Sequence, residues 1–144
     1  MEQKDYILRE IEKIGQMLRM MVDRIKRKRS ASSETISLQL NEQLDQVAEE
    51  MGFDLTESLT MDDKELETYL MNLPGYSVPN LELLADLLAE LGTGSGQPRS
   101  SDCLRSALRI YETARRLDRT YSITREDKIR EIRSLLPRSF RDGR

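Results

Sequence analysis

The sequence predicts an all-α protein, one compact bundle of five to six helices that begins with a long N-terminal helix and ends in a C-terminal helical hairpin. Three observations lead there. Apolar residues recur at three- and four-residue steps along most of the chain, and no segment shows the period-two alternation of a strand. Charged residues fill 34% of the 144 positions and hydrophobic ones 38%, a balance suited to amphipathic helices with wet outer faces. Aromatics reach only 5%, alongside four prolines and seven glycines, which argues against a β-rich fold. A chain of this length falls within the range of one domain and can bury roughly two-thirds of its unfolded surface.

The first helix is expected from about Lys4 to Arg29, within a 1–30 segment. Ile7, Ile11, Ile14, Leu18, Met21 and Ile25 step by four and three, a heptad seam, and Leu8, Met17, Met20 and Val22 widen it. Its basic end complements the helix dipole. A second helix, about Ser33 to Met51, sets Ile36, Leu40, Leu44, Val47 and Met51 on one face, with Gly52 ending it. FDLTESLT then reads as a loop. Thr60 with Asp63 three residues on resembles a capping box for a short helix bearing Leu66, Tyr69, Leu70 and Leu73. After the LPGYSVP turn, LELLADLLAEL is apolar on more than one side and reads as the central helix, about Pro79 to Leu91. GTGSGQPRSS, 92–101, reads as a flexible linker. Leu104, Leu108, Tyr111 and Ala114 mark a fifth helix ending near Asp118. Thr124 caps a sixth, bearing Ile129, Ile132, Leu135 and Leu136, and Pro137 stops it before a frayed basic tail, 137–144.

Charge divides the same way. Residues 1–30 hold nine Lys/Arg against five Asp/Glu, net +4; the acidic middle, 31–92, holds one Lys against fourteen acids, net −13; the rest is net +6. An acidic middle between basic ends can neutralise itself within the fold or between subunits, and a uniformly basic binding protein would look different. Histidine is absent and Cys103 is the only cysteine, which removes Ser-His-Asp and Cys-His catalysis, histidine-containing and multi-cysteine metal sites, and intramolecular disulfides. The mixed charge of MEQKDYILREIEK lacks the apolar core of a secretory signal, and no stretch approaches the ~20 apolar residues of a membrane span. The expectation is a soluble cytoplasmic protein without a cofactor, in a reducing compartment.

ALRIYETA, 107–114, carries the spacing A-x3-Y-x2-A and resembles the second helix of a tetratricopeptide repeat, which implies a helical-repeat-like hairpin over 102–136. Arg119 stands where that pattern has its proline, and the preceding half-repeat falls on the glycine loop. DYILREIEKIG near the start and ALRIYETARRLDRTYSITREDKIREIRSLL near the end resemble a family of small all-helical bacterial proteins of unknown function. That resemblance implies a shape and no activity.

Four constellations invite chemistry. Asp54 to Glu65 has acids at the first and twelfth positions of a calcium loop, but Leu59 stands where its turn needs glycine. GTGSG lacks the strand before it and the lysine after it that a phosphate loop requires. RIKRKR, with Arg24, Lys26, Arg27, Lys28 and Arg29, is the nucleic-acid candidate, though no aromatic interleaves with it. Glu82, Asp86 and Glu90 form an acidic stripe expected to face Arg105 and Arg109 on the next helix.

The function expected is therefore non-catalytic: a protein-interaction or scaffold module, with an antiparallel homodimer through the N-terminal seam. In that register Ile11 meets the partner's Met21, Leu18 its Ile14 and Ile25 its Ile7, with Gly15 close to its own copy. The alternative is non-specific nucleic-acid binding through 24–29 and the C-terminal tail.

Overall fold

A computed structural model describes residues 2–27, 33–93 and 99–137, and over these the chain is helical, without a strand. Seven helices follow in order: α1 Glu2–Arg27, α2 Ser33–Met51, α3 Leu55–Leu59, α4 Asp63–Met71, α5 Val78–Gly92, α6 Ser100–Leu117 and α7 Ile123–Leu135. The five or six expected become seven because 55–59, read as loop, forms α3. Asp54 makes that turn possible: its carboxylate accepts the Glu57 amide at 3.0 Å and caps a helix too short to show periodicity.

Two helix starts also differ from the expectation. Asp62, not Thr60, caps α4: it accepts the Glu65 amide at 2.8 Å, while Glu65 accepts the Asp62 amide at 3.1 Å. This reciprocal pair satisfies two otherwise unpaired donors. Thr60 instead donates to the Glu57 carbonyl at 2.7 Å, closing α3. The two acids of the imagined calcium loop are thus engaged with backbone amides. Likewise Ser122, not Thr124, caps α7 through the Arg125 amide at 3.1 Å. Ser77 caps α5, with Pro79 in the first turn where a missing amide costs nothing. Gly92 belongs to α5, and α6 already starts at Ser100, so both helices run into the segment expected to be linker; positions 94–98 of that segment lie outside the described residues.

The central helix is α5, as its all-round apolar pattern requires. Leu81, Leu84, Ala85, Leu87 and Leu88 are fully buried, and α1 and α6 pack against different sides of it. Directions follow from contacts. Asp86 bonds Tyr111 while Gly92 lies against Leu104, so α5 and α6 are antiparallel. Glu82 bonds Arg125 and Asp86 bonds Lys128, so α7 runs parallel to α5. Asn80 bonds the Ile11 carbonyl at one end, and Val22 and Lys26 share a cleft with Glu90 and Thr93 at the other, so α1 is parallel to α5 as well. α2 packs on α1, and α3 and α4 lie against α6.

Arg109 does not meet the acidic stripe. Arg109 turns to α3 and α4, donating to the Met61 carbonyl at 2.7 Å and pairing with Asp63 at 3.2 Å, and Arg105 pairs with Asp102 at 3.8 Å. The α6 face toward α5 is Ala107, Tyr111 and Ala114, all buried, so α6 presents Arg109 elsewhere. Cations from α7 answer the stripe: Arg125 holds Glu82 at 3.0 Å and Lys128 holds Asp86 at 2.9 Å.

Asn80 fixes the docking of α1. Its buried amide donates at 2.8 Å to both the Ile11 and Gly75 carbonyls. Gly75 turns the chain there at φ +75, and a Cβ on it would lie 2.7 Å from the Ile14 Cβ. Asn80→Ala leaves two carbonyls without that donor and is expected to cost about 1–2 kcal/mol, read from urea unfolding. A midpoint unchanged from wild type would show that α1 docks by apolar packing alone.

Candidate interaction surface

The heptad seam of α1 divides in two. Ile14, Leu18, Met21 and Ile25 are buried within the chain's own core, and Ile11 is half-buried. Ile7 lies on the same face, yet is 56% exposed against 3% for Ile14. The reason is length. The α4–α5 turn reaches α1 at Glu10 and Ile14, and Asn80 reaches it at Ile11, so no other described residue covers the N-terminal turns. Residues 3–9 are all exposed, a projection of about 10 Å at 1.5 Å per residue. It carries Tyr6, Ile7 and Leu8, each more than half exposed.

The same end of the bundle holds a second apolar pair. Because α7 runs parallel to α1 and α5, its start lies with theirs, and there Tyr121 and Ile123 expose 73% and 67% of their surface. Tyr6, Tyr121 and Ile123 were not marked by periodicity, since none belongs to a repeating stripe. The available signal was an aromatic or branched side chain in a charged neighbourhood.

Gly15 is buried and faces Asn80, whose Oδ1 lies 2.9 Å from where a Cβ would stand. The space that the antiparallel register assigned to a second Gly15 is filled by this side chain. Of the basic run, Arg24, Lys26 and Arg27 are exposed at the end of α1, and Lys28 and Arg29 lie outside the described residues, as does the tail from 138 on. Lys26 borders a cleft of about 260 Å³ between α1, α5, α6 and α7, together with Asp86, Glu90, Glu131, Tyr111 and Lys128. Carboxylates therefore share the surface that the cations occupy.

The chemistry of that cleft is static. Tyr111 donates to Asp86, which also accepts from Lys128, and the ammonium sits 5.9 Å from the Tyr111 ring centre. Burial, reinforced by the Asp86 charge, pushes the Tyr111 phenol well above its ordinary range, so it holds its proton and acts as a donor. Cys103 is buried, and burial pushes its thiol up to about 12, leaving it a poor nucleophile. Among the described residues no three His, Cys, Asp or Glu side chains converge as a metal site would need, and no helix is long and apolar enough to cross a membrane. Comparison of the chain with protein-family models, with curated proteins and with solved structures finds no match.

Proposed function

We propose that this chain is a non-catalytic protein-interaction module, a scaffold whose working surface is the end of the bundle where α1 projects. One observation carries the reading: Tyr6, Ile7 and Leu8 on α1, Tyr121 just before α7 and Ile123 at its start are all exposed at that end. Large apolar side chains exposed at one end of a bundle are costly in water and are characteristic of binding surfaces. The same reading places the protein in a cytoplasmic, reducing setting, with Cys103 a buried free thiol. It also takes Ala107, Tyr111 and Ala114, buried along α6, as repeat-like packing within a helical hairpin, in keeping with the resemblance to small all-helical bacterial proteins.

A photo-crosslinking residue placed at Ile7 or at Tyr121 in the full chain, expressed in its native cells, is expected to give protein adducts. The same residue at Glu49, exposed on α2, is expected to give none. Absence of adducts from both positions overturns the reading. Nucleic-acid adducts would favour the alternative instead, salt-sensitive binding through Arg24, Lys26 and Arg27, which are exposed at the end of α1. Against that alternative stand the carboxylates beside Lys26.

A further inference from the structure

We infer that α2 is a hinged cover, which lifts off α1 as a unit about Gly52 while the other helices stay packed. This goes beyond the interaction-module reading and does not depend on it. The side chains described in α2 are those of residues 40–51, and Leu40, Leu44, Val47 and Met51 bury its apolar face. Apolar contact is all that holds them. None of the side chains at 40–51 hydrogen-bonds or ion-pairs with another described helix. Elsewhere helices are tied across by polar side chains: Asn80 joins α5 to α1, Arg109 joins α6 to α4, and Arg125 joins α7 to α5.

Two features of α2 work against its docking. Gln43 lies on the buried face at 4% exposure, and its Oε1 has no hydrogen-bond partner. A buried acceptor left unpaired has given up its water for nothing, and lifting α2 returns that water. The outer face weakens the helix itself. α2 carries no Lys or Arg, and Glu42, Asp45 and Glu49 stand three and four residues apart on one exposed side. Glu49 and Glu50 also sit at the negative end of the helix dipole.

The joint is equally defined. Gly52 takes φ +78, and a Cβ on it would meet nothing within 4 Å, so the backbone there can turn without obstruction. Directly after it the chain is clamped to α4. The Tyr69 hydroxyl donates to the Gly52 carbonyl at 3.0 Å and accepts the Asp54 amide at 2.9 Å, and its ring lies beside buried Phe53. The moving part therefore ends at Gly52.

Native-state hydrogen exchange on the full chain tests this, under conditions where reclosing outpaces exchange. The amides of residues 44–51 are expected to share one protection factor, at least about tenfold below that of α5. Their protection is also expected to fall less steeply with urea, because lifting one helix bares less surface than global unfolding. Protection that climbs steadily from 44 to 51 would mean fraying, and overturns the inference. Gln43→Met removes the unpaired oxygen at nearly constant length and is expected to raise protection in α2 about tenfold. No gain there overturns the inference as well. Arg125→Ala loosens α7 in the closed and the lifted form alike, so it is expected to lower protection in α5 about tenfold and leave that of α2 unchanged. Equal losses in both helices would mean that α2 opens only with the whole fold, which also overturns it.

Discussion

Leu84→Ala is expected to lower stability by about 3–4 kcal/mol and the melting temperature by roughly 10 °C, followed by circular dichroism. Leu84 is fully buried in the middle of α5, with α1 and α6 packed on that helix. Truncation removes the transfer free energy of the lost carbons, and the neighbouring helices cannot collapse into the space without giving up their own contacts. Leu135→Ala provides the comparison. That leucine is 50% exposed near the end of α7, so its loss is expected to change stability by no more than about 0.5 kcal/mol. Equal losses at both positions would contradict the central place of α5.

Arg125→Ala is expected to cost about 1–2 kcal/mol by the same measurement. The Arg125 side chain is only 3% exposed, and it donates to Glu82 at 3.0 Å, to Asp118 at 2.9 Å and to the Thr120 carbonyl at 3.0 Å. It thus ties the α6–α7 loop to α5. Both carboxylates still touch water, which screens the loss and keeps it below that of a fully buried pair. The pH dependence carries a defined sign. The Arg125 hydrogen bond, helped by the Thr120 amide, holds the Asp118 carboxyl below its ordinary value of 3.8. A carboxyl depressed by folding contributes stability above its unfolded pKa, and that contribution fades as pH falls through the lower folded value. Wild type is therefore expected to lose this increment in acid below about pH 4, and Arg125→Ala to show a shallower loss there. Parallel acid-unfolding curves for the two proteins would separate Asp118 from Arg125.

Periodicity made the long elements legible. The apolar steps of α1, α2, α5 and α6 place these helices to within a few residues, because a repeating face is what burial selects. Short and terminal features were harder. Five residues cannot display a period, so α3 announced itself only through Asp54. Where two cap-forming residues stand close, as Thr60 and Asp62 or Ser122 and Thr124, either can begin a helix. The choice depends on which partner reaches back, and Glu65 decided it for Asp62. Cross-helix pairing was least legible. Glu82 and Asp86 are evenly spaced for any neighbour, and only the rotation of α6, set by Ala107, Tyr111 and Ala114, turned Arg109 toward Asp63 and left α7 to supply the cations. The seam of α1 shows the same limit. Spacing identifies an apolar face without revealing what covers it. Here the answer changes along one helix, from the chain's own α5 to open solvent at Ile7.

The bond from Asn80 to the Ile11 carbonyl spans 69 positions of chain, whereas α5, α6 and α7 meet through neighbours in sequence. Closing the larger loop costs more chain entropy before any contact rewards it. At about 0.6 kcal/mol per doubling of loop length, the difference favours early meeting of the three C-terminal helices without fixing an order of assembly. Exposure sets where opening begins: the projecting turns of α1 are expected to exchange their amide hydrogens early and buried α5 last. The helix that offers the outward contact is thus loose at its tip and firmly held from Ile11 onward.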